Sequence, residues 1–191
     1  MPNLYIIAGC NGAGKTTASY TVLPEMLNCN EFVNADEIAR GLSPFQAEKA
    51  AIDAGKIMLT RIQELIYLQV DFSFETTLSA IHFIKLIKEA KKKGYFVTLV
   101  FFWLNSVDLA IQRVKIRVSE GGHNIPEETI KRRYKTGIKN LVNKYISICD
   151  YWIIVNNSKG PFNLIAEGLK DTEVEIKDYN IWNKIKAQAN E

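Results

Sequence analysis

Apolar residues recur along this 191-residue chain with two alternating spacings. Short runs of strand length are separated by longer stretches in which apolar positions return every three or four residues, the helical step. Leu4–Ala8 is the first run, and Thr16 to Leu27 has helical character. Glu31–Asn34 reads as a second short strand, with a helix starting near Ile38. After a turn at Ser43-Pro44-Phe45, the stretch from Phe45 to Leu68 is a long helical pattern, with Ala51, Ala54, Ile57, Met58, Arg61, Ile62 and Leu65 at three- and four-residue steps. Gln69–Phe74 is a third strand, and Leu78–Lys93 a helix stopped by Gly94. Tyr95–Leu104 is apolar apart from Thr98, as expected at the centre of a parallel sheet. A helix then runs from Asn105-Ser106 to about Glu120, breaks at Gly121-Gly122, and restarts within His123-Asn124-Ile125-Pro126-Glu127-Glu128, continuing to about Lys144. Asp150–Val155 is a fifth strand, Phe162–Leu169 a short helix, Val174–Ile176 an edge strand, and Asn180–Ala189 a terminal helix.

Strands alternating with helices predict an α/β fold of three αβα layers. Its sheet is mainly parallel, of about five strands joined by right-handed crossovers. One domain spans 1–191, with a helical lid at about 106–145 hinged at Gly121-Gly122 and a C-terminal helix at about 180–190. The 47% apolar content supplies a full core. No apolar run approaches the ~20 residues of a membrane span. The first strand begins by Leu4, which leaves no room for a cleaved signal peptide. Cys10, Cys29 and Cys149 have neither metal-like nor disulfide-like spacing, so they read as reduced thiols of a cytoplasmic protein. A net charge of +3 does not argue for nucleic acid. Between Arg113 and Lys139, however, eight basic residues stand against three acidic ones, a local excess above that of the whole chain.

Candidate chemistry concentrates after the first strand. Gly9-Cys10-Asn11-Gly12-Ala13-Gly14-Lys15-Thr16-Thr17 fits G-x-x-x-x-G-K-[ST] between a strand and a helix, the context that a P-loop needs. Backbone N–H groups of Gly9, Asn11, Gly12, Ala13 and Gly14 turn inward around phosphate oxygens, and the helix N-terminus adds partial positive charge. Lys15 reaches the β- and γ-phosphates, Thr16 offers a hydroxyl to magnesium, and Thr17 continues the loop. ATP and Mg²⁺ are the expected cofactors.

The reaction is weighed by what surrounds that loop. No L-S-G-G-Q stretch marks an ABC ATPase, and no N-K-x-D marks a GTPase. One carboxylate instead follows each of two early strands, Asp36 and Glu75, and arginines cluster late in the chain. That layout suits phosphoryl transfer to a bound hydroxyl, where catalysis is mostly positioning and charge stabilisation. Asp36 either orients the acceptor hydroxyl or simply caps a helix. Glu75 and Thr77 either hold the substrate or the metal's water, or Thr77 caps the next helix. Arg113 and Arg117 share a helical face at i, i+4, so either can point at the loop. His123 is either a phosphate contact or a hinge residue. His82 reads as a packing residue. A nucleic-acid-associated ATPase or polynucleotide kinase, and an ATP-binding module without catalysis, are the alternatives.

These motifs together resemble the zeta-toxin-like P-loop kinases, particularly their compact bacterial branch. The resemblance runs through the P-loop, Asn34-Ala35-Asp36-Glu37-Ile38, Phe74-Glu75-Thr76-Thr77-Leu78, and the stretch from Arg113 through Gly121-Gly122-His123 to Ile125-Pro126. Arg132-Arg133-Tyr134 and Asp150-Tyr151-Trp152 extend it to Asn157-Ser158. It implies a P-loop NTPase fold and ATP- and magnesium-dependent phosphorylation of a sugar hydroxyl. In characterised zeta toxins that sugar is UDP-N-acetylglucosamine, and an antitoxin normally blocks the site. Carried over by motif, Lys15 and Thr16 bind phosphate and magnesium, and Asp36 is the acceptor-activating carboxylate. Glu75 and Thr77 belong to the substrate or metal side, and Arg113 is a phosphate-contacting lid arginine. The family's second lid arginine has no counterpart at His123-Asn124; Arg117 and Arg133 are the candidates to replace it. A small-molecule acceptor and an antitoxin are the implied partners, with no membrane and no nucleic acid.

Overall fold

The computed structural model describes residues 1–190. Its strands are β1 (Asn3–Gly9), β2 (Phe32–Val33), β3 (Phe72–Thr76), β4 (Phe96–Trp103), β5 (Tyr151–Asn156), β6 (Asn163–Leu169) and β7 (Glu175–Ile176). Its α-helices are α1 (Lys15–Thr21), α2 (Ala35–Leu42), α3 (Ala51–Leu68), α4 (Phe83–Lys92), α5 (Val107–Ser119), α6 (Glu127–Asn140) and α7 (Tyr179–Asn190). All seven strands form one sheet in the order β2-β3-β1-β4-β5-β6-β7. The first five in that order run parallel, and β6 and β7 are antiparallel additions. The expected α/β fold with a mainly parallel sheet is present, with more strands than the five anticipated. Among the described residues no helix is long and apolar enough to cross a membrane.

Central strands buried on both faces need near-continuous apolar sequence. Ile6 stands in register between Phe74 and Leu99, and all three are buried. The same registers carry Ile7 opposite Glu75 and Ala8 opposite Thr76. A carboxylate and a hydroxyl are thereby delivered to the strand ends beside the loop that follows β1.

Several boundaries depart from the sequence pattern, each for a local reason. The first helix stops at Thr21 and loosens into a π-turn over Val22–Met26, closed by Leu27 N donating to Val22 O at 3.1 Å. Pro24 lies inside it and has no N–H to continue an α-helical ladder. The long helix begins at Ala51, not Phe45. Phe45 is 98% exposed, so no packing holds a helical turn there. The helix expected from Leu78 begins only at Phe83. Leu78 is fully buried at φ 55°, a left-handed conformation costly for a branched side chain.

The segment Phe162–Leu169, expected as a helix, is strand β6 instead. Gly168 pairs across from Trp152, and a Cβ on it would lie 2.7 Å from the indole ring. A flat, side-chain-free position under an aromatic ring suits a strand, and β5 offers an open edge to pair with. A seven-residue apolar segment does not distinguish helix from strand by period alone. α7 packs on the outer side of β6, stacking Trp182 on Trp152 with ring centroids 5.7 Å apart.

The segment 106–145 proposed as a lid forms α5, the Gly121-Gly122 connection and α6. The second half of α6 and the π-helical turn Leu141–Tyr145 after it are anchored: Tyr134, Ile138 and Leu141 are buried, and Tyr145 donates from its hydroxyl to Ala80 O at 2.5 Å.

Candidate functional site

Beyond β1 the chain turns sharply, and two glycines carry positive φ there. Gly12 (φ 78°) would drive a Cβ to 2.7 Å from Ala110 O, so only glycine lets α5 pass this close. Gly14 (φ 82°) is the residue before α1 and would meet the Asn157 amide at 2.6 Å. Asn157 Nδ2 donates to Ala13 O at 2.8 Å, pinning the loop to the end of β5. Arg113 adds two ties, donating to Gly12 O at 3.4 Å and Ser158 O at 3.2 Å.

Lys15 is 5% exposed and donates to Cys10 O at 3.0 Å. Its ammonium also stands 3.4 Å from Glu75 Oε1. The other Glu75 oxygen accepts from Thr16 Oγ1 at 2.7 Å and from Asn34 Nδ2 at 3.0 Å. Glu75 therefore lies between the P-loop lysine and the P-loop hydroxyl, at the end of the strand next to β1. Two oxygens converging in this way match what a magnesium ion needs from a protein: one or two oxygen ligands, the remainder coming from phosphates and water.

Asp36 is the second residue of α2, and the cap of that helix is Asn34, whose Oδ1 accepts from Asp36 N at 2.8 Å. The capping role thus belongs to Asn34, which leaves the Asp36 carboxylate available. It lines an outer cavity and two inner, adjoining ones. One, of about 290 Å³, is also walled by Gly12, Lys15, Thr16, Glu75, Arg113 and Arg117. The other, of about 260 Å³, is walled by Lys15, Glu75, Thr77, His82 and Arg133 as well. Asn11, Lys15, Asp36 and Glu75 are common to both.

Arg133 reaches this second cavity from α6 and donates to Asn11 Oδ1 at 3.2 Å. Burial lowers its guanidinium pKa, and the Asp36 carboxylate opposes that shift. A desolvated guanidinium that has not spent its charge on a carboxylate is suited to receive an anion. Arg117 donates to His123 O at 2.7 Å, and its buried Nε has no partner. Gly122 packs on the Arg117 stem, where a Cβ would come within 2.5 Å of Cγ.

His123 lies farther out. Its Nδ1 is 3.7 Å from Glu48 Oε2, and it shares an outer cavity of about 410 Å³ with Thr16, Thr17, Asp36 and Arg117. Thr77 caps no helix, since α4 starts at Phe83 after His82; its hydroxyl bonds to Ser79 Oγ at 2.9 Å. His82 does pack on Phe83, and it also lines the Asp36 cavity. Gly9 and Ala13 shape the loop from beneath: Ala13 is fully buried, and a Cβ on Gly9 would meet Phe102 O at 2.5 Å. The Cys10 thiol is pushed up to about 11 by burial, which keeps it protonated and unreactive. A larger cavity, of about 770 Å³, lies over β2 between α1, α2 and α3, and shares Tyr20, Asn34 and Glu37 with the site cavities.

Comparison with known proteins agrees with this arrangement. The family model for zeta toxin matches residues 1–159. The chain belongs to the zeta toxin family of P-loop kinases. An uncharacterized protein of Haemophilus influenzae is 34% identical over 127 residues, covering 66% of this chain and 88% of that relative. Among solved structures, the chain is similar in fold to a chain of the AvrRxo1-ORF1:AvrRxo1-ORF2 complex with sulphate ions (TM-score 0.77, 16% identity), covering 98% of this zeta toxin family member and 64% of that chain. A structure of the same complex with ATP gives a TM-score of 0.76 at 16% identity, again covering 98% of this chain and 64% of the other. The PezAT toxin–antitoxin system of Streptococcus pneumoniae matches at TM-score 0.65 and 16% identity, over 100% of this chain and 86% of that one. The chain thus spans about two thirds of the AvrRxo1 neighbours.

Asn34, Asn157 and Ser158 belong to the site without having been singled out as site residues in the sequence. Asn34 carried a usable signal, because an Asn between a short strand and a helix is a favoured cap. Asn157 stood only at the end of the family resemblance, and its contact with Ala13, which joins positions 144 residues apart, follows from no local pattern.

Proposed function

We propose that this chain is an ATP-dependent phosphotransferase that moves the γ-phosphoryl group to a hydroxyl of a small molecule. The observation that carries the reading is the shared wall of the two cavities. Lys15, Asp36 and Glu75 line both cavities, Gly12 and Arg113 line only the P-loop one, and Arg133 lines only the adjoining one. A nucleotide seated on the P-loop would present its terminal phosphate at that boundary. Asp36 would orient the acceptor hydroxyl and take its proton late in a loose transition state. Arg117 and Arg133 would offset charge on the migrating group, as donors aimed where charge develops. Thr16 and Glu75 would hold magnesium, which when bound neutralises phosphate charge. Lys15 would exchange its contact with Glu75 for the phosphates.

Family membership supports a sugar-linked acceptor, and a UDP-amino sugar such as UDP-N-acetylglucosamine is the first to test. The PezAT likeness supports an antitoxin partner for this chain as well. The assay mixes the protein with ATP, Mg²⁺ and a panel of UDP-sugars and detects ADP and a phosphorylated sugar. Lys15→Ala should lower transfer by about 10²- to 10³-fold, the cost of losing one preorganised donor at the reacting centre. Undiminished transfer in that variant would remove Lys15 from the mechanism. ATP binding with no turnover on any acceptor, oligonucleotides included, would reduce the protein to a binding module.

A further inference from the structure

Asn34 is 6% exposed and stands between β2 and α2. The two ends of its amide do different work. Oδ1 accepts from Asp36 N at 2.8 Å and Glu37 N at 3.4 Å, and Nδ2 donates to Glu75 Oε2 at 3.0 Å. Only this orientation of the amide serves. Turned over, it would point donors at two N–H groups and an oxygen at a carboxylate. The same Glu75 oxygen takes the Thr16 hydroxyl, and the other faces Lys15. A continuous path of hydrogen bonds thus runs from the P-loop through Glu75 and Asn34 to the backbone of Asp36.

The rest of the local structure makes this tie important. β2 is two residues long and pairs with β3 only at Phe32↔Ser73 and Val33↔Phe74. It is the edge of the sheet, and it alone leads into the helix that carries Asp36. Beyond Val33, the Asn34–Glu75 bond is the next connection to β3.

We propose that Asn34 is a positioning residue for phosphotransfer. It sets the spacing between the Asp36 carboxylate and the Glu75 carboxylate beside the P-loop. This rests on the phosphotransferase reading above. Misplacement of reacting groups by about 1 Å can cost on the order of 100-fold in rate, so one buried amide at this junction can have a large effect.

Capping alone does not require an amide, since Ser and Asp serve about as well at an N-cap. Asn34→Ser keeps an acceptor for the helix and loses the donor to Glu75. Asn34→Asp keeps the acceptor and sets a second carboxylate against Glu75. Both should melt within a few degrees of the wild type. kcat should fall about 10-fold in Asn34→Ser and about 100-fold in Asn34→Asp, because Glu75 keeps Lys15 and Thr16 but loses its tie to α2 in the first and is repelled in the second. A second readout needs no acceptor. Mg²⁺ is titrated into the protein carrying a fluorescent ATP analogue, and half-saturation in Asn34→Ser should need about tenfold more Mg²⁺, the usual scale for losing an outer hydrogen bond to a ligating group. Wild-type kcat in both variants, or an unchanged Mg²⁺ midpoint, overturns the proposal. If the wild type transfers to no acceptor, the kinase reading fails on its own, and the Mg²⁺ titration still decides the role of Asn34. Should Asn34→Ser prove unstable, the same titration and rate are read on Asn34→Asp, where an unchanged kcat is equally fatal.

Discussion

The parallel strands β2 to β5 and the antiparallel pair β6–β7 sit in one sheet, yet they use their residues in opposite ways. Parallel strands are joined by crossovers, so their C-terminal ends open together on one edge. At that edge the chain gathers Asn34, Glu75, Thr76, Asn156 and the P-loop, including the buried polar side chains of Lys15, Asn34 and Thr76. Open α/β sheets bind ligands there because helix N-termini and loop amides converge on it. β6 runs back the other way, β7 reverses again beside it, and neither brings a carboxylate to the cleft. Together with α7 they cover Trp152 with Gly168 and Trp182 and bury Ile165, Ala166 and Ile185. The family match ends at residue 159, just before this flank. The difference separates a region whose polar groups are ordered for chemistry from one whose apolar groups close the sheet.

Substitutions can break that comparison, and the largest effect belongs to the parallel edge. Asp36→Asn should lower transfer by about 10²- to 10⁴-fold, the usual worth of a positioned acid or base. ATP KM should stay within about threefold, and the melting temperature should hold, because Asn34 and not Asp36 caps α2. Steady-state ADP release at saturating acceptor reads the first, and calorimetry the second. A large drop in stability would mean that Asp36 is structural after all.

In the antiparallel flank the pattern should invert. Ile185→Ala empties a fully buried position of α7 and should cost about 2–5 kcal/mol in urea unfolding, with kcat unchanged where the variant is still folded. Gly168→Ala forces a methyl group against the Trp152 indole and should cost about 1–3 kcal/mol, again without a kinetic effect. A kcat loss larger than the loss of folded protein would show that the flank is coupled to the cleft through α6, which α7 touches at Gln188–Tyr134.

The smallest effect sharpens the boundary inside the P-loop itself. Burial holds the Cys10 thiol at about 11, so the thiolate is scarce at pH 8 and gains only as pH rises toward that value. Iodoacetamide at pH 8 should leave Cys10 unmodified in the folded protein, as read by intact mass after a brief exposure. Rapid labelling would mean that the loop opens far more than its buried packing implies.

Legibility in the sequence followed the same division. β1, the P-loop and the start of α1 are contiguous, so a local motif announced the loop, though not the stop of α1 at Thr21. Asp36 and Glu75 were legible because each follows a short apolar strand, and the parallel registers bring such ends together. Arg133 could be named but not distinguished from the other basic residues of its helix, because only the crossing of α6 over the P-loop brings it to Asn11. β6 was misread because a short apolar segment fits two periods, and its choice depends on the free edge of β5, a distant partner.

By itself, then, the sequence determined the nucleotide loop, the alternation that makes a parallel α/β sheet, and the residue types available for phosphoryl transfer. These are local properties, set by glycine conformations, strand and helix periods and caps. Only the tertiary structure decided that Glu75 stands between Lys15 and Thr16, that Asn34 joins Glu75 to the Asp36 helix, and that Arg133 lines a cavity with Asp36. The physical reason is that a buried charge or amide is ordered by whatever partners lie within hydrogen-bonding distance. For Glu75 those partners are 60, 59 and 41 residues away in the chain, and no periodicity can bring them together.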